Sequence, residues 1–130
     1  MNQFLITFYI GVAGAMGALA RYGTSVGCKQ LFGDSFPFAT LLVNVIGCFL
    51  LGMVAHLGAQ QISEQWRLVV SVGFLGALTT FSTFGVETVG KLNEGEMIKA
   101  FLNIALNVIL GLTAVFAGML LAKSFSTGTS

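Results

Sequence analysis

The sequence predicts an all-α membrane protein with four transmembrane helices. Of its 130 residues, 55% are hydrophobic and 8% are charged, whereas a soluble domain carries about 25% charged residues. Four stretches lack charged residues, and each approaches the roughly 20 residues that a helix needs to cross the hydrocarbon core. They cover residues 4–20, 38–63, 68–86 and 100–122. Because the connections between them are short, residues 1–130 are expected to form a single transmembrane domain.

The first two spans are expected at about residues 4–30 and 37–60, and each carries a polar signal. Arg21 follows a long apolar run, so its side chain either reaches the membrane interface or makes the mouth of a pathway attractive to anions. In the second span, Thr40 and Asn44 are four residues apart and share a helical face. A buried asparagine at such a position is either an interhelical clasp or a donor that lines a pore.

The third span, at about 66–92, contains the most informative segment, GFLGALTTFSTFGVE at 73–87. Its hydroxyl groups must be satisfied by protein, water or a permeating ligand, because lipid offers no hydrogen bonds. Two glycines precede a pair of threonines, and all are poor helix formers. A helix broken near 76–80 would expose carbonyls and amides to ions. A continuous helix whose hydroxyls bond back to their own carbonyls fits the residues equally well.

Beyond that point, aromatic and hydroxyl residues alternate along one helix. Phe81 and Phe84 share a face, and Thr80, Thr83 and Glu87 form the adjacent strip. An aromatic stripe is usually core packing, but a phenyl ring has a positive edge. Two rings turned edge-on beside hydroxyl donors would therefore hold a small anion. Glu87 is a candidate for a proton site or for an ion pair with a basic residue.

The fourth span is expected at about 97–123, after a polar turn. With four spans, the basic residues divide two against three or four. Arg67 and Lys123 share a side with the N-terminus, and Lys29, Lys91 and Lys99 lie opposite, joined by Arg21 if it faces that way. The positive-inside rule therefore selects no orientation. Small residues also recur four apart, a spacing that lets helices approach closely. Either contacts with a partner decide the orientation, or both orientations are made. In the second case the small-residue faces favour an antiparallel homodimer.

The residues argue against an enzyme, since they contain no nucleophile–base pair, phosphate-binding loop or metal-ligand cluster. A small proton-coupled multidrug exporter is the main alternative function. Such an exporter needs a membrane-embedded carboxylate early in the chain, and the first span, FLITFYIGVAGAMGALA, has none. An accessory subunit of a larger complex would explain the glycines but not the hydroxyl run.

Three segments carry a family resemblance: GALARY at 17–22, TLLVNVIG at 40–47 and GFLGALTTFSTFGVETV at 73–89. With these segments the chain resembles the Fluc/CrcB family of small fluoride channels. The resemblance implies a passive, fluoride-selective channel of the bacterial inner membrane that exports cytoplasmic fluoride and so relieves its toxicity. It also implies a dual-topology homodimer with two fluoride pathways along the subunit interface.

The resemblance further implies roles for individual residues. Phe81 and Phe84 would contact fluoride through their ring edges, with Asn44 as a donor beside them. Thr40, Ser82 and Thr83 would belong to the polar lining of the pathway. Arg21 would lie toward the vestibule, and Glu87 would lie in the polar region beyond the aromatic residues. Gly76 and Thr79 would give backbone carbonyls to a structural sodium ion at the centre of the dimer.

The fourth span departs from familiar members of that family. Several of them place a tyrosine and a serine where this chain has Asn103 and Gly111. Asn107 and Thr113 are candidate substitutes, so no pore residue is assigned to this span from the sequence.

Overall fold

The computed structural model describes residues 1–128, and within that range the chain forms helices and no strand. The elements are α1 Gln3–Phe32, α2 Phe38–Gln61, α3 Glu64–Leu68, a π-helix Val69–Leu75, α4 Gly76–Leu78, α5 Phe81–Asn93 and α6 Met97–Thr127. Four membrane spans result, the third made of every element from Glu64 to Asn93. The predicted all-α, four-span architecture is confirmed. The last two residues of the predicted 1–130 domain lie outside the described range.

The second and fourth spans pack against each other through small residues. A Cβ atom added at Gly52 would collide with the backbone carbonyl of Val115, and one added at Gly118 would collide with that of Phe49. Glycine at these two positions allows the helix backbones to approach closely, as small residues do between helices in lipid.

The first span packs in the same way against the π-helix and α4. A Cβ atom at Gly17 would collide with the carbonyl of Phe74, and one at Gly73 would lie 2.8 Å from the carbonyl oxygen of Ile10. These small-residue faces are therefore used within one subunit. Gly11, in contrast, has open space where its Cβ atom would be. The small residues consequently support the dimer prediction less than the sequence suggested.

The third span is broken, as one of the two sequence interpretations predicts, and the continuous helix is wrong. Thr79 and Thr80 have extended conformations, with φ/ψ of −83°/158° and −153°/122°. Thr79 ends the first half, since both its N–H and its Oγ1 bond to the carbonyl of Leu75 at 3.0 Å. Thr80 starts the second half, because its Oγ1 accepts from the N–H of Thr83 at 3.1 Å. A buried apolar cluster of Val43, Leu75 and Leu78 lies beside the break.

A short turn joins the third and fourth spans outside the membrane. Gly95 takes a positive φ of 78° there, which glycine adopts at little steric cost. Glu96 follows and pairs with Lys99 and, at 3.6 Å, with Lys91. The hydrogen bond from Lys99 is the main reason that the pKa of the Glu96 carboxyl lies below its ordinary value.

Candidate functional site

Two cavities lie at the break in the third span. The first, here the aromatic cavity, has a volume of about 350 Å³. The second, here the threonine cavity, has a volume of about 250 Å³. Thr80 lines both of them. A residue at the break in the helix thus belongs to the walls of both cavities.

The aromatic cavity carries the phenylalanine pair. The ring centroids of Phe81 and Phe84 are 5.5 Å apart, and the ring planes are inclined at 45°. Phe81 is 83% exposed on the single subunit, so it is not a packed core residue of this chain. Asn44, Gly76 and Thr79 line the same cavity. Within residues 1–128 its walls contain no charged side chain.

The threonine cavity is more polar and contains Arg21, Thr40, Thr80 and Thr83. Thr80 Oγ1 lies 3.0 Å from Thr83 Oγ1 and 3.4 Å from Ser82 Oγ. Ser82 is itself exposed. One hydroxyl cluster therefore extends from the threonine cavity to the start of α5, close to the aromatic pair.

Asn44 binds the broken backbone. Its Oδ1 accepts from the N–H of Thr80 at 2.8 Å, and its Nδ2 donates to the carbonyl of Thr80 at 3.1 Å. The second hydrogen of Nδ2 is donated to Asn107 Oδ1 at 2.9 Å. The interhelical clasp, one of the two roles that the sequence leaves open, is present in the structure. Asn44 also lines the aromatic cavity, so its role as a pore-lining donor stays a prediction.

The fourth span continues this network. Asn107 Nδ2 donates to both the backbone carbonyl and the Oδ1 of Asn103, each at 2.9 Å. Asn103 is fully buried, and its Nδ2 donates to Thr88 Oγ1 at 2.9 Å. Thr88 in turn donates to the carbonyl of Phe84 at 2.7 Å. Polar contacts thus reach α5 at both ends of its first two turns.

Glu87 lies apart from both cavities. Its Oε1 accepts from Thr40 Oγ1 at 2.8 Å, and its Oε2 is buried without a partner among residues 1–128. It lines a separate cavity of about 270 Å³ with Asp34, Lys91 and Glu94. No ion pair of Glu87 occurs in the described part of the chain, so the carboxyl is held by a hydroxyl rather than by a basic residue.

The break also leaves carbonyl oxygens without donors. Within residues 1–128, no hydrogen bond reaches the carbonyl of Gly76 or of Thr79, because the extended conformation at 79–80 interrupts the helical ladder. Gly76 is exposed, and both residues line the aromatic cavity. Neutral carbonyl oxygens of this kind are ligands for a hard cation, so the two positions fit the donor set expected for sodium.

Comparison with known proteins identifies the family. Residues 8–119 match the sequence model of the family described as "CrcB-like protein, Camphor Resistance (CrcB)". The chain belongs to the CrcB family. It is therefore a multi-pass protein of the bacterial inner membrane.

Curated relatives cover almost the whole chain, and those below are each named "Fluoride-specific ion channel FluC". The protein from Shewanella amazonensis is 50% identical over 125 residues, which are 95% of this chain and 98% of the relative. That from Idiomarina loihiensis is 49% identical, with 93% and 95% coverage. That from Aliivibrio salmonicida is 48% identical, with 95% and 100% coverage.

Most residues singled out from the sequence converge on the break. Asn44, Gly76, Thr79, Phe81 and Phe84 line the aromatic cavity, and Arg21, Thr40 and Thr83 line the threonine cavity. Ser82 is within 3.4 Å of Thr80, whereas Glu87 reaches the group only through Thr40. The sequence interpretation left Asn103 and Asn107 unassigned. Their signal was two asparagines four residues apart in an apolar span, a spacing that places them on one helical face.

Proposed function

We propose that this CrcB protein is a passive, fluoride-selective channel through which cytoplasmic fluoride leaves the cell. The observation that carries the proposal is the pair of the exposed Phe81 and the half-buried Phe84 at the broken third span. The pair lies beside hydroxyl and amide groups in a cavity whose described walls carry no charged residue. The curated relatives support it, since those compared above are named as fluoride-specific ion channels.

The chemistry of fluoride matches these surroundings. The ion is small and strongly hydrated, so a pore must replace its water with hydrogen-bond donors and positive ring edges. Thr80, Ser82 and Thr83 supply hydroxyls, and Arg21 attracts the anion to the threonine cavity. Asn44 already uses both of its amide hydrogens. A fluoride ion that binds Asn44 replaces one of those bonds.

Export needs no coupling to an energy source. An inside-negative potential is worth about 2.3 kcal/mol per charge per 100 mV, which drives an anion outward through a passive pore. A proton-coupled exporter is not favoured, because the first span carries no carboxylate and the relatives are named as channels. The protein is accordingly a channel and not an enzyme.

The functional unit is an antiparallel homodimer with a fluoride pathway on each side. Two features of the subunit support a partner at the aromatic cavity: the 83% exposure of Phe81 and the carbonyls of Gly76 and Thr79 that lack donors. The near-balance of basic residues supports both orientations. A single cysteine near the C-terminus, in a protein without its two native cysteines, is expected to react with an impermeant thiol reagent from both sides. Labelling from one side alone contradicts dual topology.

A structural sodium ion lies at the centre of that dimer, held by the carbonyls of Gly76 and Thr79 from each subunit. A site that offers only a small number of neutral oxygen ligands suits an alkali cation better than a divalent cation. Its charge also lowers the cost of holding anions nearby. A high-resolution density map of the dimer tests this proposal. A water molecule at that position, or no density, contradicts it.

Fluoride efflux from liposomes tests the function itself. Purified protein is reconstituted in vesicles that contain potassium fluoride, and a potassium ionophore starts the efflux. Fluoride is expected to leave rapidly while chloride is retained. Equal chloride efflux contradicts selectivity, and a requirement for a proton gradient indicates an exchanger.

A further inference from the structure

The second half of the third span is anchored mainly by polar contacts. Within α5 (81–93), Thr88 is the one buried residue, and it is polar. The apolar cluster of Val43, Leu75 and Leu78 lies before the break and not in α5. Hydrophobic packing within the subunit therefore does little to fix the position of the helix that carries Phe81 and Phe84.

A series of five hydrogen-bonded residues attaches α5 to the neighbouring spans. Thr80, at the start of α5, is hydrogen-bonded to Asn44, and Asn44 donates to Asn107. Asn107 donates to Asn103, and Asn103 donates to Thr88, two turns along α5. This series, here the amide chain, joins the second, third and fourth spans.

We infer that Asn107 and Asn103 are positioning residues, which orient the amide of Asn44 and hold α5 so that the phenylalanine pair faces the pathway. The inference rests on the proposed function, because it assigns these residues a part in conduction. Neither residue needs to touch fluoride. Asn107 accepts the second amide hydrogen of Asn44, so it limits rotation of that amide away from Thr80. Asn103 acts at Thr88, the other attachment point.

The geometry predicts local effects that differ between the two residues. In Asn107→Leu, the amide of Asn44 loses its third contact, so hydrogen exchange of the Thr80 amide is expected to rise by roughly five- to tenfold. In Asn103→Leu, Asn107 keeps the backbone carbonyl of residue 103 as an acceptor. The larger rise in exchange is therefore expected around Thr88. Both variants are expected to lose fluoride flux.

Hydrogen exchange read by mass spectrometry, on the reconstituted full chain, tests the inference together with fluoride efflux. Thr7→Val is the matched control, because Thr7 is exposed and bonds within its own helix to the carbonyl of Gln3. It is expected to change neither measurement. If Asn107→Leu does not fold, the smaller Asn107→Ser is measured in its place, with the same local rise expected.

Each result bears on the inference separately from the channel activity. Unchanged exchange at residues 79–83 in both Asn107 variants overturns it, and so does increased exchange with undiminished flux. A uniform rise along all four spans also overturns it, because that indicates a general packing role. If the wild-type protein conducts no fluoride, the proposed function fails and the positioning role in conduction fails with it, whatever the exchange shows.

Discussion

Replacing Asn44 tests the central contact of the site. Asn44→Leu keeps a similar side-chain volume, so little of its effect comes from a cavity. The change removes three hydrogen bonds, of 2.8, 3.1 and 2.9 Å, and leaves three polar groups without this partner. These groups are the N–H and carbonyl of Thr80 and the Oδ1 of Asn107.

The expected loss of stability follows from what remains unsatisfied. A buried polar group without its partner costs about 1–3 kcal/mol. The N–H of Thr80 carries the full cost, because Thr80 is only 9% exposed. The carbonyl of Thr80 and the Oδ1 of Asn107 can each find another donor in α5 or on the cavity side, so they add less. We expect the free energy of unfolding to fall by about 2–5 kcal/mol, with loss of fluoride flux.

Equilibrium unfolding in mixed micelles with a denaturing detergent measures this loss. Asn44→Asp keeps an acceptor for the N–H of Thr80, but its second oxygen faces the carbonyl of Thr80 and Asn107 Oδ1, and its charge lies at membrane depth. Its loss should therefore be at least as large as that of the leucine variant. Asn93→Leu is the control, because Asn93 is exposed at the end of α5, and it should stay within about 0.5 kcal/mol of the wild type. If Asn44→Leu costs no more than this control, the clasp does not hold the break.

Three further predictions concern other parts of the molecule. Phe81→Ile and Phe84→Ile should each lower fluoride efflux by about tenfold in a folded protein, because isoleucine keeps the bulk and lacks the positive ring edge; normal efflux from both would make the aromatic pair a packing feature. Gly118→Ala should lower the free energy of unfolding by about 1–3 kcal/mol through overpacking, whereas Gly11→Ala, with open space at its Cβ position, should not. The Glu96 carboxyl should titrate below its ordinary pKa in carbon NMR spectra. Its stabilising ion pair is thus present above that ordinary pKa and is lost as the pH falls through the lowered one, and removing the neighbouring lysine should return the midpoint toward the ordinary value.

The sequence was informative for features that depend on one segment alone. The four spans could be predicted from runs without charged residues, because whether a helix can cross the membrane depends on its own length and composition. The break at Thr79–Thr80 was one of two outcomes that the residues allowed, and the sequence could not choose between them. The choice depends on Asn44, 36 positions away along the chain from Thr80. The amide of Asn44 pairs with the N–H and the carbonyl of Thr80, which the break leaves without helical partners.

Contacts between spans were harder to predict from the residues. Asn103 and Asn107 gave only the signal of polar side chains on one face of an apolar helix, without indicating their partners. The small-residue pairs clearly indicate close helix contacts, but the same spacing is used both within a subunit and between subunits. The pattern alone therefore does not tell which helix is the partner. The backbone of Phe74 opposite Gly17 shows that one such face is already occupied within the chain.

The separation of charge from the aromatic cavity bears on how an anion can both enter and leave. Arg21 lines the threonine cavity and Glu87 lines a third cavity, while the walls of the aromatic cavity contain no charged group among residues 1–128. Conduction requires binding that is favourable enough for entry and weak enough for release. A basic side chain in direct contact with fluoride beside Phe81 would bind the ion too strongly for release, whereas amides, hydroxyls and ring edges each contribute little. Such weak contacts act together only if their geometry is fixed, and we infer that the hydrogen bonds of the amide chain fix it.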